Sequence, residues 1–351
     1  MEITIKGDNK RLAAYTYSHF CVDGICAYLM WRIFGYSGFT FIWALVLYHS
    51  LAFAVQPFLG MICDHFPSLW AGFLGTSLTT CGILLSFIWP WAAVWAVGIG
   101  NTLFHVEGGY VSLLREDRRI APGGIFVGGG AAGIGVGTLT GKFMGEDVGV
   151  LLFFVVLGLS SMALSFAARP DREVKQRPGT FHIVQEGMPV GLIVFFSFFS
   201  VLVRGYAGII IPLPWKNREW MIILTSAMLL AGKMAGGFLG EKFGIRKTAV
   251  ISMILSMAFL WKSSSMLPAL AGLFFMNVPM SITLTALSDC LPEDTGLAFG
   301  IAPLALFLGY IGALAVKIPM EIRSPLVSIL LAASACLLFL TLKGTKEQRD
   351  F

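Results

Sequence analysis

The sequence predicts an all-α membrane protein of twelve transmembrane helices arranged as two pseudo-symmetric six-helix halves. Three observations predict it. Hydrophobic residues make up 56% of the chain against 13% charged, with a mean hydropathy of +0.79, outside the range of soluble domains. The apolar residues fall into runs of about 20, the length that crosses a hydrocarbon core. Short stretches also recur between the first and second parts of the chain at nearly constant spacing.

The spans in order are 12–34, 40–60, 70–88, 91–114, 121–143, 148–168, 188–211, 219–240, 248–262, 266–288, 296–317 and 324–342, the ninth being the shortest. The first follows the polar start MEITIKGDNKR and is too long for a signal-peptide core, so it is expected to remain in the mature chain. Connections are terse except at residues 169–187, RPDREVKQRPGTFHIVQEG, which is charged and proline-bearing. That stretch divides the chain into a first half, 1–168, and a second, 188–351. Lys and Arg number sixteen across the amino terminus, the loops after even-numbered spans and the carboxyl terminus, against seven on the opposite side (Arg32, Lys142, Lys216, Arg218, Lys262, Lys317 and Arg323). That bias places both termini in the cytoplasm and the protein in the cytoplasmic membrane.

Charge and cysteine usage exclude other classes. The net charge of +5 follows from the loop bias and needs no nucleic-acid partner. The six cysteines include no CxxC pair, so neither a disulfide framework nor a cysteine-ligated zinc site is expected, and no cofactor is indicated. No HExxH or G-x-S-x-G is present, so the chain is not expected to be an enzyme. Residues 128–133, GGGAAG, match G-x-G-x-x-G in form, but a dinucleotide fingerprint requires a preceding strand. Gly124, Gly128 and Ala132, with Gly133, Gly137 and Gly141 beside them, instead suit close helix packing in lipid.

The repeat is specific in its parts. GMICDHF begins at Gly60 and GFLGEKFGIRK at Gly237, 177 positions later, each with an acid four residues on, at Asp64 and Glu241. Asn101 and Asn277 lie 176 apart, and the pairs Gly124/Gly128 and Gly296/Gly300 lie 172 apart. GFLGEKFGIRK, with Gly237, Glu241, Gly244 and Arg246, resembles the cytoplasmic loop signature of the major facilitator superfamily. The copy after the second span keeps Gly60 and Asp64 but has His65, Pro67 and Ser68 where basic residues and glycine are expected. HFCVD, holding His19 and Asp23, and GNTLFHVEGG, holding Asn101, His105 and Glu107, resemble patterns of that superfamily's fosmidomycin-resistance branch, which are proton-driven exporters. The resemblance implies the major facilitator fold, alternating access, and gating loops at Gly60, Asp64, Gly237, Glu241, Gly244 and Arg246.

Polar residues within the spans are candidates on their own physics, because a charge in the bilayer centre costs at least about 2.5–3.5 kcal/mol and normally faces a protein interior or a wet cavity. His19 and Asp23 share one helix face with Tyr15, and Asn101 shares a face with His105. Glu107 is rotated from His105 by about 200°. His105 is therefore the expected cavity residue and Glu107 a gate or proton relay, with a structural pair to Arg115 as its alternative. Arg204 and Lys233 are the unusual cations of the second half. Arg204 presents a fork suited to carboxylate or phosphonate, and a state-dependent ion pair with Asp23 is expected. The function expected is secondary active transport of a small anionic or amphipathic solute, coupled to protons, by a monomer. The alternatives are a divalent metal-ion transporter using His19, Asp23 and His105, or a membrane-embedded enzyme or receptor.

Overall fold

Helix dominates residues 7–66, 70–114, 119–170, 182–216 and 218–344, which the computed structural model describes, and the strand character among them is a single β-bridge between Val184 and Leu342. Fourteen α-helices follow in order: α1 (Asp8–Phe34), α2 (Phe39–His49), α3 (Gln56–His65), α4 (Ala71–Ile88), α5 (Pro90–Leu113), α6 (Ala121–Phe143) and α7 (Val148–Ala167), then α8 (Val190–Ile210), α9 (Trp220–Phe243), α10 (Ile245–Leu260), α11 (Met266–Asn277), α12 (Pro279–Cys290), α13 (Thr295–Ala315) and α14 (Met320–Thr341). An apolar chain that must satisfy every backbone donor and acceptor without water adopts helix.

Helices occupy each predicted segment, and two segments are interrupted. The second becomes α2, a π-helical turn at Ser50–Ala54, and α3. Pro57 accounts for the widening: it has no N–H for the Phe53 carbonyl and its ring crowds that turn. The tenth divides at Val278, directly before Pro279.

Nine helical stretches among the described residues are long and apolar enough to cross a membrane, with α2 to α3 and α11 to α12 each counted as one. Large apolar side chains such as Trp43, Ile88, Leu152, Leu267 and Ile329 face outward. So much exposed apolar surface on an all-helical chain is that of a multi-pass membrane protein.

Glycine spacing sets the packing around α6. A Cβ on Gly129, Gly133, Gly137 or Gly141 would collide with the carbonyl oxygen of Thr16, Phe20, Gly24 or Tyr28 respectively. Both series advance by four residues, so α6 lies directly on the backbone of α1. On its other side, Gly124, Gly128 and Gly135 meet Lys233, Met234 and Ser226 of α9. α3 and α13 approach equally closely, Gly60 against Gly296 and Pro57 against Gly300.

Candidate functional site

The spacing of four on α1 puts Tyr15, His19 and Asp23 on one stripe, and all three are buried. Asn101 and His105 form the matching stripe on α5. The stripes meet at the Asp23 carboxylate. Asn101 Nδ2 donates to Asp23 Oδ1 at 2.8 Å, His19 Nε2 lies 3.2 Å from Oδ2, and His105 Nε2 lies 3.8 Å from Oδ1. The imidazoles stand edge to face with ring centroids 4.4 Å apart, walled by Phe104 and Phe126.

Backbone carbonyls orient both rings. His19 Nδ1 is 2.7 Å from the Phe126 carbonyl oxygen of α6, and His105 Nδ1 is 2.8 Å from that of Asn101. A carbonyl oxygen only accepts, so each Nδ1 carries hydrogen and each Nε2 turns to the carboxylate. Gly130 closes the third side: a Cβ there would strike both His19 Nε2 and Asp23 Oδ2. The glycine run, legible as a packing device, also makes room for this cluster.

Glu107 accepts a hydrogen bond from Tyr15 Oη, on the same stripe of α1 that His105 approaches at Asp23. α1 therefore meets both residues, at Tyr15 and at Asp23. Arg115, the alternative partner of Glu107, lies outside the described residues.

Arg204 of α8 is buried, its Nε donating to the Ser200 carbonyl at 3.1 Å and its Nη2 to Thr283 Oγ1 of α12 at 3.0 Å. No carboxylate pairs with it among the described residues, so the ion pair expected with Asp23 is not formed in this structure. Asp23 is turned instead to the two histidines and Asn101. Ser197, seven residues before Arg204 and on its side of the helix, is buried with an unpartnered Oγ. Lys233 does not extend to the surface: its Nζ lies 3.4 Å from the Val127 carbonyl, next along α6 from the carbonyl that holds His19.

The loop acids cap helices across the molecule. Both carboxylate oxygens of Asp64 accept backbone N–H groups at the start of α13, from Gly296 and Leu297, each at 2.9 Å. Glu241 Oε1 accepts from Ile120 at 2.6 Å and Ala121 at 3.0 Å at the start of α6, and its Oε2 pairs with Arg119 at 3.1 Å. Each acid supplies charge and acceptors where unsatisfied N–H groups and the positive helix end converge. The Asp64 cap forms in a copy of the loop that has His65 where a basic residue is expected; Pro67 and Ser68 lie outside the described residues. Gly237 packs on Ala121, and Gly244 ends α9 at φ +96°, a conformation that favours glycine.

Arg246, expected among the gating-loop residues, lies in the first turn of α10. Its Nη2 donates to Gln185 Oε1 at 2.7 Å and its Nε to the Leu342 carbonyl at 2.5 Å, so it secures the segment before α8 to the end of α14. Asp289 of α12 assists by accepting from the backbone of His182 and Ile183 at 3.0 and 2.9 Å.

His49 was not singled out by sequence. It ends α2 at the π-helical turn and lies against Tyr310 of α13, the rings tilted by 35° with centroids 4.6 Å apart. The proline eight residues later was the available signal for a helix irregularity there.

No protein-family model matches the chain, and no curated protein matches it. Among solved structures it is similar to the fucose:proton symporter FucP of E. coli, at 11% identity and a TM-score of 0.60, covering 94% of this chain and 97% of that one. It is also similar to FucP described as a major facilitator superfamily transporter in the outward conformation, at 11% identity and a TM-score of 0.59, covering 93% and 97%. The human organic anion transporter MFSD10 is similar at 10% identity and a TM-score of 0.61, covering 96% and 99%. At such identities the likeness is one of fold, which is that of major facilitator transporters.

Proposed function

We propose that this protein is a secondary active transporter that moves a small anionic solute across the cytoplasmic membrane by alternating access, coupled to protons. The observation that carries the reading is Arg204: a buried guanidinium with no carboxylate partner among the described residues, on the same side of α8 as the unpartnered Ser197 hydroxyl two turns earlier. Burying an uncompensated charge is costly, and a bound carboxylate or phosphonate offsets that cost through the guanidinium's remaining donors. The similar solved structures include an organic anion transporter and a fucose:proton symporter, in keeping with this class of function.

In this reading the nine apolar stretches are joined by α1, α5 and α10 as twelve passes. α1 and α5 are long enough, at 27 and 24 residues, and carry the polar cluster, while α10 is short at 16. Residues 1–168 and 188–351 form two six-helix halves joined by 169–187, with both termini cytoplasmic. The Asp64 and Glu241 caps then close the cytoplasmic side, and release of both opens it. A proton held between Asp23 and an imidazole supplies the coupling ion, and the differing affinities of anion and proton for the two states make transport vectorial. The likeness of HFCVD and GNTLFHVEGG to the fosmidomycin-resistance branch adds export as the direction.

The test is a proteoliposome assay with an imposed pH gradient and a panel of small carboxylates and phosphonates. Anion-dependent proton flux is expected, and its loss in Arg204→Gln. Flux that survives that substitution removes the anion site from Arg204, and the absence of flux with every compound overturns the reading.

A further inference from the structure

His19, Asp23 and His105 place one potential ligand atom each within 4.8 Å of one another, all on buried residues, from two helices held together by packing. His19 Nε2 lies 3.2 Å from Asp23 Oδ2 and His105 Nε2 3.8 Å from the other carboxylate oxygen, Oδ1, spacings close to the roughly 3.3 Å edge of a tetrahedron whose centre lies about 2.0–2.1 Å from each ligand. We propose that these three residues form a binding site for a divalent first-row transition-metal ion, ligated by both imidazole Nε2 atoms and the Asp23 carboxylate.

The surroundings are those a metal site needs. Each Nδ1–H is committed to a backbone carbonyl, Phe126 for His19 and Asn101 for His105, which leaves both Nε2 lone pairs directed at one carboxylate. When no proton lies between them, two lone pairs facing an anion repel it, and a metal cation among them turns that repulsion into coordination. The carboxylate is itself held by the Asn101 amide, so every ligand has an outer partner fixing its direction. The amide's own oxygen, Asn101 Oδ1, is buried with no hydrogen-bond partner, a second acceptor beside the cluster.

Donor chemistry selects the ion. Two imidazoles and one carboxylate suit Zn²⁺, Co²⁺ or Ni²⁺, whereas Mg²⁺ and Ca²⁺ favour oxygen-rich shells of six or more ligands. With one carboxylate and two neutral imidazoles the bound ion keeps a charge of +1, and Lys233 hydrogen-bonds one residue along α6 from the His19 anchor. The fourth position therefore suits an anion. The site stands on this geometry alone and does not require that the chain transport anything.

Co²⁺ is the probe for the test, added to chelator-stripped, purified full-length protein. We expect one Co²⁺ per chain with the intense visible absorption of a tetrahedral ion and without thiolate charge-transfer bands, displaced by one equivalent of Zn²⁺. His19→Gln and His105→Gln are expected to lose it, weakening binding beyond the ~10–100-fold typical of removing an outer-shell partner. His65→Gln, His182→Gln and Arg204→Gln are expected to retain it. A solvent-like octahedral spectrum in the native protein overturns the proposal, and so does a tetrahedral spectrum that survives His105→Gln; the native spectrum decides the matter even where a variant fails to fold. Because Arg204→Gln is read here by cobalt absorption and above by proton flux, failure of the metal site and failure of the transport reading are told apart.

Discussion

The first seven helices and the last seven share a latch and differ in their centres. In each set an acid at the end of one helix caps the start of a helix in the other: Asp64 on α13, Glu241 on α6. The recurring glycine pairs belong to the same device, since Gly296/Gly300 sit on the helix Asp64 caps and Gly124/Gly128 on the helix Glu241 caps. The centres have no such correspondence. Asp23 lies in a network of two histidines and an amide, whereas Arg204 has two protein acceptors for five N–H donors. The caps are alike and the centres differ: one gathers two imidazoles and an amide around a carboxylate, the other buries a guanidinium with no carboxylate partner among the described residues.

Six substitutions break or sharpen this contrast. Arg204→Gln removes the charge from the open centre; with charge-assisted hydrogen bonds contributing about 1.5–3 kcal/mol each, anion affinity is expected to fall by ~100-fold or more, read by isothermal titration. Equal loss for neutral solutes would show that Arg204 is structural. Gly130→Ala drives a methyl group into His19 and Asp23 and is expected to destabilise by about 1–3 kcal/mol, seen in thermal unfolding. The equivalent insult at Gly191, where nothing lies within 4 Å of a Cβ, is expected to leave unfolding unchanged.

Asp64→Asn and Glu241→Gln test the shared latch. Each is expected to cost about 1 kcal/mol of cap stability and to raise labelling of a cysteine placed at the start of α13 or α6, by similar amounts for the two. A large effect from one and none from the other would end the equivalence. The smallest change is expected from Arg119→Ala, because the Arg119 guanidinium is half exposed and its pair with Glu241 contributes about 0–1 kcal/mol.

Much of this arrangement was legible in sequence wherever local periodicity determines it. The helical segments and the shared stripe of His19 and Asp23 follow from residue spacing. Tertiary features were not legible. The Phe126 carbonyl that orients His19 is a backbone atom with no side-chain signature, and it arrives because glycines at 129 and 133 let α6 settle on α1. Arg246 sits in a loop signature, yet its reach to Gln185 and Leu342 depends on where a segment 61 residues earlier in the chain is docked. The Asp23–Arg204 pair was inferred from equivalent positions, but nearer partners occupy Asp23.

The docking of His182–Glu186 onto the last seven helices bears on how the molecule can be made. That segment is secured by Asp289, by the bridge between Val184 and Leu342 and by the pairing of Glu186 with Lys343, so it is docked on the second set of helices. The glycine crossings and acid caps that join the two sets are likewise noncovalent. A chain divided between Pro170 and His182 would retain all of these contacts, and its two pieces, translated separately, should assemble, allowing one to carry an isotope label while the other stays silent.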